Sequence, residues 1–206
     1  RAPIWAPYPG VEALTAALFA VTFWLHSGWT LSLPFDLAFV AALVALVFID
    51  AEHQFLPNVI TYPGTALAFA ARLVVPNLYG VGFLCTPDSC PPLWLLSFAN
   101  ALLGALAGGG FLWAVGWLWE RARKEEAMGL GDVKMMFMVG AYLGWPLAPL
   151  TIFIGVLSGS LVGLGLIASG RGDLKSRLPF GVYLGLGAFV CLLYGETLVN
   201  WYVSKF

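Results

Sequence analysis

The sequence predicts an all-α fold, a polytopic membrane bundle of about seven transmembrane helices, with six to eight possible. Its composition is the first indication: 60% of the 206 residues are hydrophobic and only 10% are charged, whereas soluble domains carry roughly 25% charged residues. The second is a series of long apolar runs, which proline, glycine and charged residues separate along the whole chain. Lipid is therefore the expected solvent of most of this chain.

Crossing a bilayer as a helix takes about 20 mostly apolar residues. Seven segments approach that length, the fifth being the shortest, and they cover residues 11–27, 35–52, 58–75, 93–119, 132–145, 147–169 and 180–202. Glycines recur every four residues in three of these segments, and such stripes let helix backbones pack closely within one bundle. The stripes are Gly104 and Gly108, then Gly155, Gly159 and Gly163, and finally Gly181 and Gly185.

The charge and cysteine content argue against several classes of function. A formal net charge of -1 argues against a nucleic-acid partner, because phosphate binding requires clustered Lys and Arg on a solvated face. The three cysteines form no CxxC pair, and the adjacent Glu52 and His53 belong to no HExxH motif. We therefore expect neither a metal site nor a bound cofactor.

The basic residues predict how the bundle is oriented, since short loops rich in Lys and Arg stay in the cytoplasm. The loops 28–34 and 76–92 contain no Lys or Arg. With seven spans, the N-terminal side and the loops 51–57 and 120–131 are predicted to be cytoplasmic, and the C-terminus to be external. The basic residues behind this prediction follow the fourth and sixth spans: Arg121, Arg123, Lys124, Arg171, Lys175 and Arg177.

Two cysteines fall in a predicted external loop. Cys85 and Cys90 flank a short polar stretch, and disulfides persist in oxidising compartments. We therefore expect a disulfide between them, although free thiols are compatible with the same loop. The third cysteine, Cys191, lies alone in an apolar run.

Two aspartates stand at the edges of apolar spans, where an ionisable side chain needs either solvent or a function. Asp50 ends the apolar run 37–49, and Asp132 opens the fifth span. Viewed singly, Asp50 is explained equally well by solvation at the interface, and Asp132 by capping of a helix start.

The predicted topology brings these two carboxylates to one depth. The second span runs inward and ends with Asp50, whereas the fifth runs outward and begins with Asp132, so both are expected near the cytoplasmic face. Two carboxyl groups that share a site cannot both ionise cheaply, so one retains a proton and the pair works as acid and base. This is the chemistry of an aspartic protease.

The residues around Asp132 resemble the signature of a known family. The run Gly129-Leu130-Gly131-Asp132, with Glu126 before it and Lys134 after it, is similar to the GxGD motif of type IV prepilin peptidases. Three further segments extend the resemblance over nearly the whole chain: Asp50 with the following Leu56-Pro57-Asn58, the run Leu178-Pro179-Phe180-Gly181, and Tyr8-Pro9 at the entry to the first span.

The resemblance implies a membrane aspartic endopeptidase in which Asp50 and Asp132 are catalytic. Glycines beside Asp132 have a physical explanation as well, because a backbone without side chains can approach a neighbour or an extended substrate closely. For Glu52 and Glu126 a solvated loop surface is the favoured explanation, ahead of a supporting role. The positions expected to support the pair or contact substrate are Gly129, Gly131, Glu52, Glu126, Pro179 and Gly181.

The family also implies substrates and a location. Its members cut type IV prepilins, or the related pseudopilins of type II secretion, after a glycine that ends a short basic leader and before a long apolar helix. Cleavage is expected at the cytoplasmic face of the bacterial inner membrane, in contact with membrane lipid and without a cofactor. No oligomeric state is predicted.

Bifunctional members of the family carry an upstream helix and a cytoplasmic domain with two CxxC pairs, which are linked to N-methylation of the new amino terminus. No CxxC pair occurs in this sequence. We therefore expect residues 1–206 to form a single peptidase domain, with residues 1–10 the remnant of an upstream cytoplasmic region. Methyltransferase activity is not expected of these residues alone.

Three alternative functions fit parts of the same pattern. A related peptidase of archaeal preflagellins, or of another membrane peptide, would have a similar sequence. A small proton-coupled transporter also uses intramembrane carboxylates, but it predicts an acidic residue near mid-membrane and paired broken helices, whereas Asp50 and Asp132 lie at span ends. A non-enzymatic assembly scaffold would tolerate the loss of both carboxylates.

Overall fold

The computed structural model describes residues 8–25, 29–84, 91–123, 129–169 and 179–205, and the regular structure in these ranges is entirely helical. The predicted all-α membrane bundle is confirmed. A 3₁₀ turn at Val81–Phe83 precedes the fourth helix, and a π-helical turn at Leu106–Gly110 joins the fourth helix to the fifth without a break. The helices are α1 (Tyr8–Leu25), α2 (Leu33–His53), α3 (Asn58–Val74), α4 (Leu93–Ala105), α5 (Phe111–Arg123), α6 (Leu130–Leu143), α7 (Leu147–Ala168) and α8 (Phe180–Val203).

Length and composition identify several of these helices as membrane spans. Within the described ranges, four helical segments are long and apolar enough to cross a membrane: Leu33–His53, Leu93–Arg123, Leu147–Ala168 and Phe180–Val203. Exposed tryptophans lie near helix ends, among them Trp24, Trp117 and Trp201, which is the pattern expected at membrane interfaces. The chain is thus a multi-pass membrane protein.

Helix α6 is short and central. Its 14 residues extend about 21 Å, whereas the hydrocarbon layer of a membrane is about 30 Å thick. Most of α6 is buried, since it packs against α3, α4 and α8. It ends at Leu143, and Gly144 then adopts a φ of 77° and a ψ of -174°, a positive-φ conformation that glycine tolerates and that does not continue a helix. For this reason α6 stops before Trp145, where the predicted fifth span ended.

Glycine stripes form the tightest helix contacts. A Cβ atom on either Gly104 or Gly140 would collide with the backbone of the other residue, so α4 and α6 touch directly. A Cβ on Gly187 would lie 2.6 Å from the carbonyl oxygen of Thr151, which shows an equally close contact between α7 and α8. The Gly104 contact also shows that one of the predicted stripes packs helices within the bundle.

Candidate active site

The two aspartates at the predicted span edges lie together in the structure. Asp50 is in the last turn of α2, and Asp132 is in the first turn of α6. Gly181, at the start of α8, touches both: a Cβ there would lie 2.7 Å from Asp50 Oδ2 and 3.3 Å from Asp132 Oδ1. The distance between Asp50 Oδ2 and Asp132 Oδ1 therefore cannot exceed the sum of these two distances. We call this end of the bundle the Asp50 end.

Asp50 and Asp132 differ in their surroundings. Asp50 is 5% exposed, and its Oδ2 has no hydrogen-bond partner among the described residues. The backbone amides of Gly181 and Val182 lie against its carboxyl group, and the first amides of a helix favour negative charge nearby. Asp132 is partly exposed. The pair thus has one buried carboxyl group, on Asp50, and one more open carboxyl group, on Asp132.

The two glycines of the GxGD motif have different environments. A Cβ on Gly131 would lie 2.9 Å from the Cβ of Leu56, a side chain that is 4% exposed. Gly129 adopts an ordinary extended conformation just before α6, and among the described residues a Cβ there would meet Asp132 Oδ2 at 3.9 Å and the amide nitrogen of Gly131 at 4.0 Å. Gly131 is therefore required for packing, whereas the described surroundings of Gly129 accommodate a Cβ.

Some of the other predicted site residues lie at this end of the bundle and some are not described. Pro179 immediately precedes α8 and so places Gly181 in the first turn of that helix. Glu52 is exposed near the end of α2, and its carboxylate lies 4.0 Å from His53 Nε2. Glu126 and the predicted Cys85 and Cys90 pair lie outside the described residues. In the described part of the chain, no group of three or more His, Cys, Asp or Glu side chains is arranged to hold a metal ion.

Lys134 connects the helix of Asp132 to α3. Its ammonium group donates a hydrogen bond to Asn58 Oδ1 at 2.9 Å and lies 5.4 Å from the centre of the Tyr62 ring. Both partners are in the first turns of α3. The Leu56-Pro57-Asn58 segment therefore contacts α6 twice: Asn58 accepts the hydrogen bond from Lys134, and Leu56 packs against Gly131.

A second polar cluster, which we call the distal cluster, lies at the other end of the same helices. Arg72 is fully buried and donates to the carbonyl oxygens of Tyr79 and Tyr142, both at 2.7 Å. Asp36 Oδ1 accepts hydrogen bonds from the hydroxyl groups of Tyr142 at 2.6 Å and Tyr79 at 3.0 Å. The distal cluster comprises Asp36, Arg72, Tyr79, Asn100, Tyr142 and Glu196.

Sequence reasoning missed the distal cluster, although a signal was present. Asp36, Arg72 and Glu196 are charged residues inside the predicted second, third and seventh spans, and such residues are rare and functional by default. The predicted topology also places them towards the same, external side. Their pairing depends on the loop 75–80, however, and no periodicity in the sequence predicts how that loop folds.

A comparison with family models identifies the chain. The model of the type IV leader peptidase family matches residues 37–164, a segment that includes both aspartates and the GxGD motif. The chain belongs to this family. Membership rests on this match and on relatives that align along nearly the whole chain.

Curated relatives of this family member are named prepilin leader peptidase/N-methyltransferase. One from Aeromonas hydrophila is 36% identical over 100% of this chain and 64% of its own length. Another from Pseudomonas aeruginosa is 33% identical over 99% of this chain and 64% of its own length. The chain therefore spans about 64% of the length of these relatives. No solved structure matches the chain.

Proposed function

We propose that this leader peptidase family member is a membrane aspartic endopeptidase that removes the leader from type IV prepilins or pseudopilins. The observation that carries the proposal is the contact of Gly181 with both Asp50 Oδ2 and Asp132 Oδ1. Two carboxyl groups this close do not both ionise cheaply, because that would place like charges side by side, so one of them retains a proton. The relatives' names supply the substrate class.

The proposed mechanism uses the pair as base and acid. One carboxylate takes a proton from a water molecule as the water oxygen attacks the scissile carbonyl carbon, and the other, protonated, donates a hydrogen bond to the carbonyl oxygen. Collapse of the tetrahedral intermediate breaks the C–N bond, and the leaving amine receives the proton that the first carboxylate took from the water, which regenerates that carboxylate. The amides of Gly181 and Val182 beside Asp50 offer donors for negative charge as it moves between the two carboxyl groups.

We further propose that the Asp50 end faces the cytoplasm. The contacts of Gly104 with Gly140 and of Gly109 with Phe137 make the α4–α5 rod antiparallel to α6. Arg121 and Arg123, which end that rod, are therefore at the same end as Asp132. Basic residues at span ends favour the cytoplasmic side, which supports cleavage at the inner face of a bacterial inner membrane.

The direct test is cleavage by the purified protein in detergent. Incubation with a purified prepilin should yield two products, the leader peptide and a pilin shortened by the leader's mass, which intact-protein mass spectrometry resolves. A prepilin whose leader glycine is replaced by valine is the matched control and should remain intact. Absence of a shortened product from folded protein and an unmodified prepilin would contradict the proposed activity.

A further inference from the structure

The distal cluster joins the two helices that carry the aspartates. Tyr142 is on α6 and Asp36 is on α2, and the Tyr142 hydroxyl donates to Asp36 Oδ1 at 2.6 Å. The Tyr142 ring also stacks on Phe39 of α2, with ring centres 4.2 Å apart and planes 14° from parallel. The far ends of α2 and α6 are therefore held together by both a hydrogen bond and a ring contact.

Arg72 completes the short helix α6. The last carbonyl groups of a helix lack partners within it, and inside a membrane no bulk water replaces them. Arg72 Nη2 donates to the carbonyl of Tyr142 at 2.7 Å, and Nε donates to that of Ala141 at 3.4 Å. The same guanidinium group donates to the carbonyls of Leu78 and Tyr79. Arg72 thus fixes the depth in the bundle at which α6 ends.

The last helix of the site is attached at the same place. The backbone amide of Gly80 donates to Glu196 Oε1 at 2.8 Å, and Glu196 is on α8, whose first turn contains Gly181. The side-chain amide of Asn100 donates to the carbonyl of Tyr79 at 3.0 Å, and its oxygen accepts from the amide of Trp145. All three helices that meet at the carboxyl pair are therefore connected through the distal cluster.

A helix is stiff along its axis, so a displacement at the distal cluster also moves the carboxyl group at the other end of the helix. Asp36 is separated from Asp50 by about 21 Å of α2, and Tyr142 from Asp132 by about 15 Å of α6, at a rise of 1.5 Å per residue. A small rotation or slide of one helix at the far end therefore moves its carboxyl group. An error of about 1 Å in the placement of reacting groups lowers turnover by about a hundredfold.

We propose that the Tyr142–Asp36 hydrogen bond and the Arg72 contacts to the end of α6 are positioning interactions that set the separation of Asp50 and Asp132. Tyr142, Asp36 and Arg72 act through the two helices and touch neither the substrate nor the reacting atoms. The inference rests on the proposed function only for its effect on turnover, because the separation of α2 and α6 is measurable in the inactive protein as well.

Tyr79 supplies a matched control. Its hydroxyl donates to the same Asp36 oxygen as that of Tyr142, at 3.0 Å, but Tyr79 lies in the loop after α3 and on neither helix of the pair. Tyr142→Phe and Tyr79→Phe each remove one hydroxyl from a partly or fully buried bond and retain the ring. If both hydroxyl groups only stabilise the fold, the two variants should behave alike. If Tyr142 positions the helices, Tyr142→Phe alone should change the separation of α2 and α6 at the Asp50 end.

The experiment measures the separation of the two helices at the Asp50 end. Spin labels are attached at His53→Cys on α2 and Leu130→Cys on α6, both exposed, after replacement of the three native cysteines. Dipolar electron paramagnetic resonance should show a broadened distance distribution in Tyr142→Phe and an unchanged one in Tyr79→Phe. On a prepilin substrate, without the labels, Tyr142→Phe should lower kcat about tenfold with little change in KM.

Arg72→Lys is a second variant, in case Tyr142→Phe does not fold. Lysine retains the buried charge but lacks the planar fork that donates in two directions, so the same distribution should broaden. Distributions that match the parent protein, or equal broadening in Tyr142→Phe and Tyr79→Phe, would overturn the inference, as would broadening without loss of kcat. A parent protein that cuts no prepilin would instead contradict the proposed function, and the spin-label comparison would still decide the inference.

Discussion

Gly181 lies where the two carboxyl groups meet, and its lack of a side chain is a steric requirement of the site. A Cβ at this position would lie 2.7 Å from Asp50 Oδ2 and 3.3 Å from Asp132 Oδ1. The first of these distances is shorter than real Cβ contacts, so one of the neighbours would have to move. Gly129 presents the opposite case, because a Cβ there would lie at an ordinary 3.9 Å from Asp132 Oδ2.

We therefore predict that Gly181→Ala abolishes most prepilin cleavage, by about a hundredfold or more in kcat, because it displaces Asp50 relative to Asp132. Gly129→Ala, also beside the pair, should change kcat by less than about tenfold, since a Cβ there would come no closer than 3.9 Å to the described atoms that it would meet. Kinetics of both variants in one detergent preparation make the comparison. Equal activity in the two variants would be incompatible with the described packing around Gly181.

At the residue scale, the sequence predicted the proximity of the aspartates but not its details. Asp50 and Asp132 could be paired because alternating span directions fix which helix ends share a side of the membrane. The contact of Gly181 with both carboxyl groups depends on the rotation of α8, and a helix that is apolar on all faces carries no pattern that fixes its rotation. Gly181 was accordingly found only through the family resemblance.

Helices α4 and α6 pack with their backbones in direct contact. The backbones of Gly104 and Gly140 touch, and a Cβ on Gly108, in the π-helical turn, would lie 2.8 Å from the carbonyl oxygen of Met136. Without hydrophobic driving force between helices in lipid, such close packing is a principal source of association. The site depends on this contact, because α6 carries Asp132.

Gly104→Ala should destabilise the bundle by at least about 1–3 kcal/mol, as expected for overpacking of a tight interface. Gly116→Ala is the matched control, since position 116 lies on α5 and a Cβ there has no neighbour within 4 Å; it should change stability by no more than about 1 kcal/mol. Chemical unfolding in detergent, followed by circular dichroism, measures both. A Gly104→Ala protein as stable as Gly116→Ala would contradict the described contact.

Helix positions were predicted to within a few residues because apolar runs and their breaks are local properties of the chain. The second span was predicted at 35–52, and α2 covers Leu33–His53. The π-helical turn at Leu106–Gly110 was not predicted; Gly108 and Gly109 in this turn pack against Met136 and Phe137 on α6, which are distant in sequence. The distal cluster likewise joins residues that are far apart in sequence, and the folded loop 75–80 adds Tyr79 to it.

At the scale of the whole molecule, charge asymmetry and the antiparallel packing of α4–α5 against α6 favour one orientation. Arg121 and Arg123 lie at the Asp50 end, so that end is proposed to be cytoplasmic and the distal cluster to face outward. Cys85 and Cys90 lie outside the described residues, and their predicted external position belongs to this orientation. The predicted disulfide belongs to the same hypothesis.

We predict that Cys85 and Cys90 resist a membrane-impermeant maleimide in intact cells until a reductant is added, and that both then react from the outside. Cys191 is buried and should remain unlabelled in the folded protein, which makes it the internal control. Labelling without reductant would contradict the disulfide. Labelling only after the cytoplasmic side is exposed would reverse the proposed orientation.

The proposed protease mechanism requires both Asp50 and Asp132. The measurement that tests it most directly is prepilin cleavage by Asp50→Asn and Asp132→Asn, which remove a protonatable group while nearly preserving volume. Glu120→Gln is the matched control, an exposed acidic residue near the end of α5 and outside the pair. The proposed mechanism predicts folded, membrane-inserted protein in all three variants, loss of cleavage in both aspartate variants, and near-parental cleavage in Glu120→Gln. Cleavage close to the parental rate in either aspartate variant would contradict it.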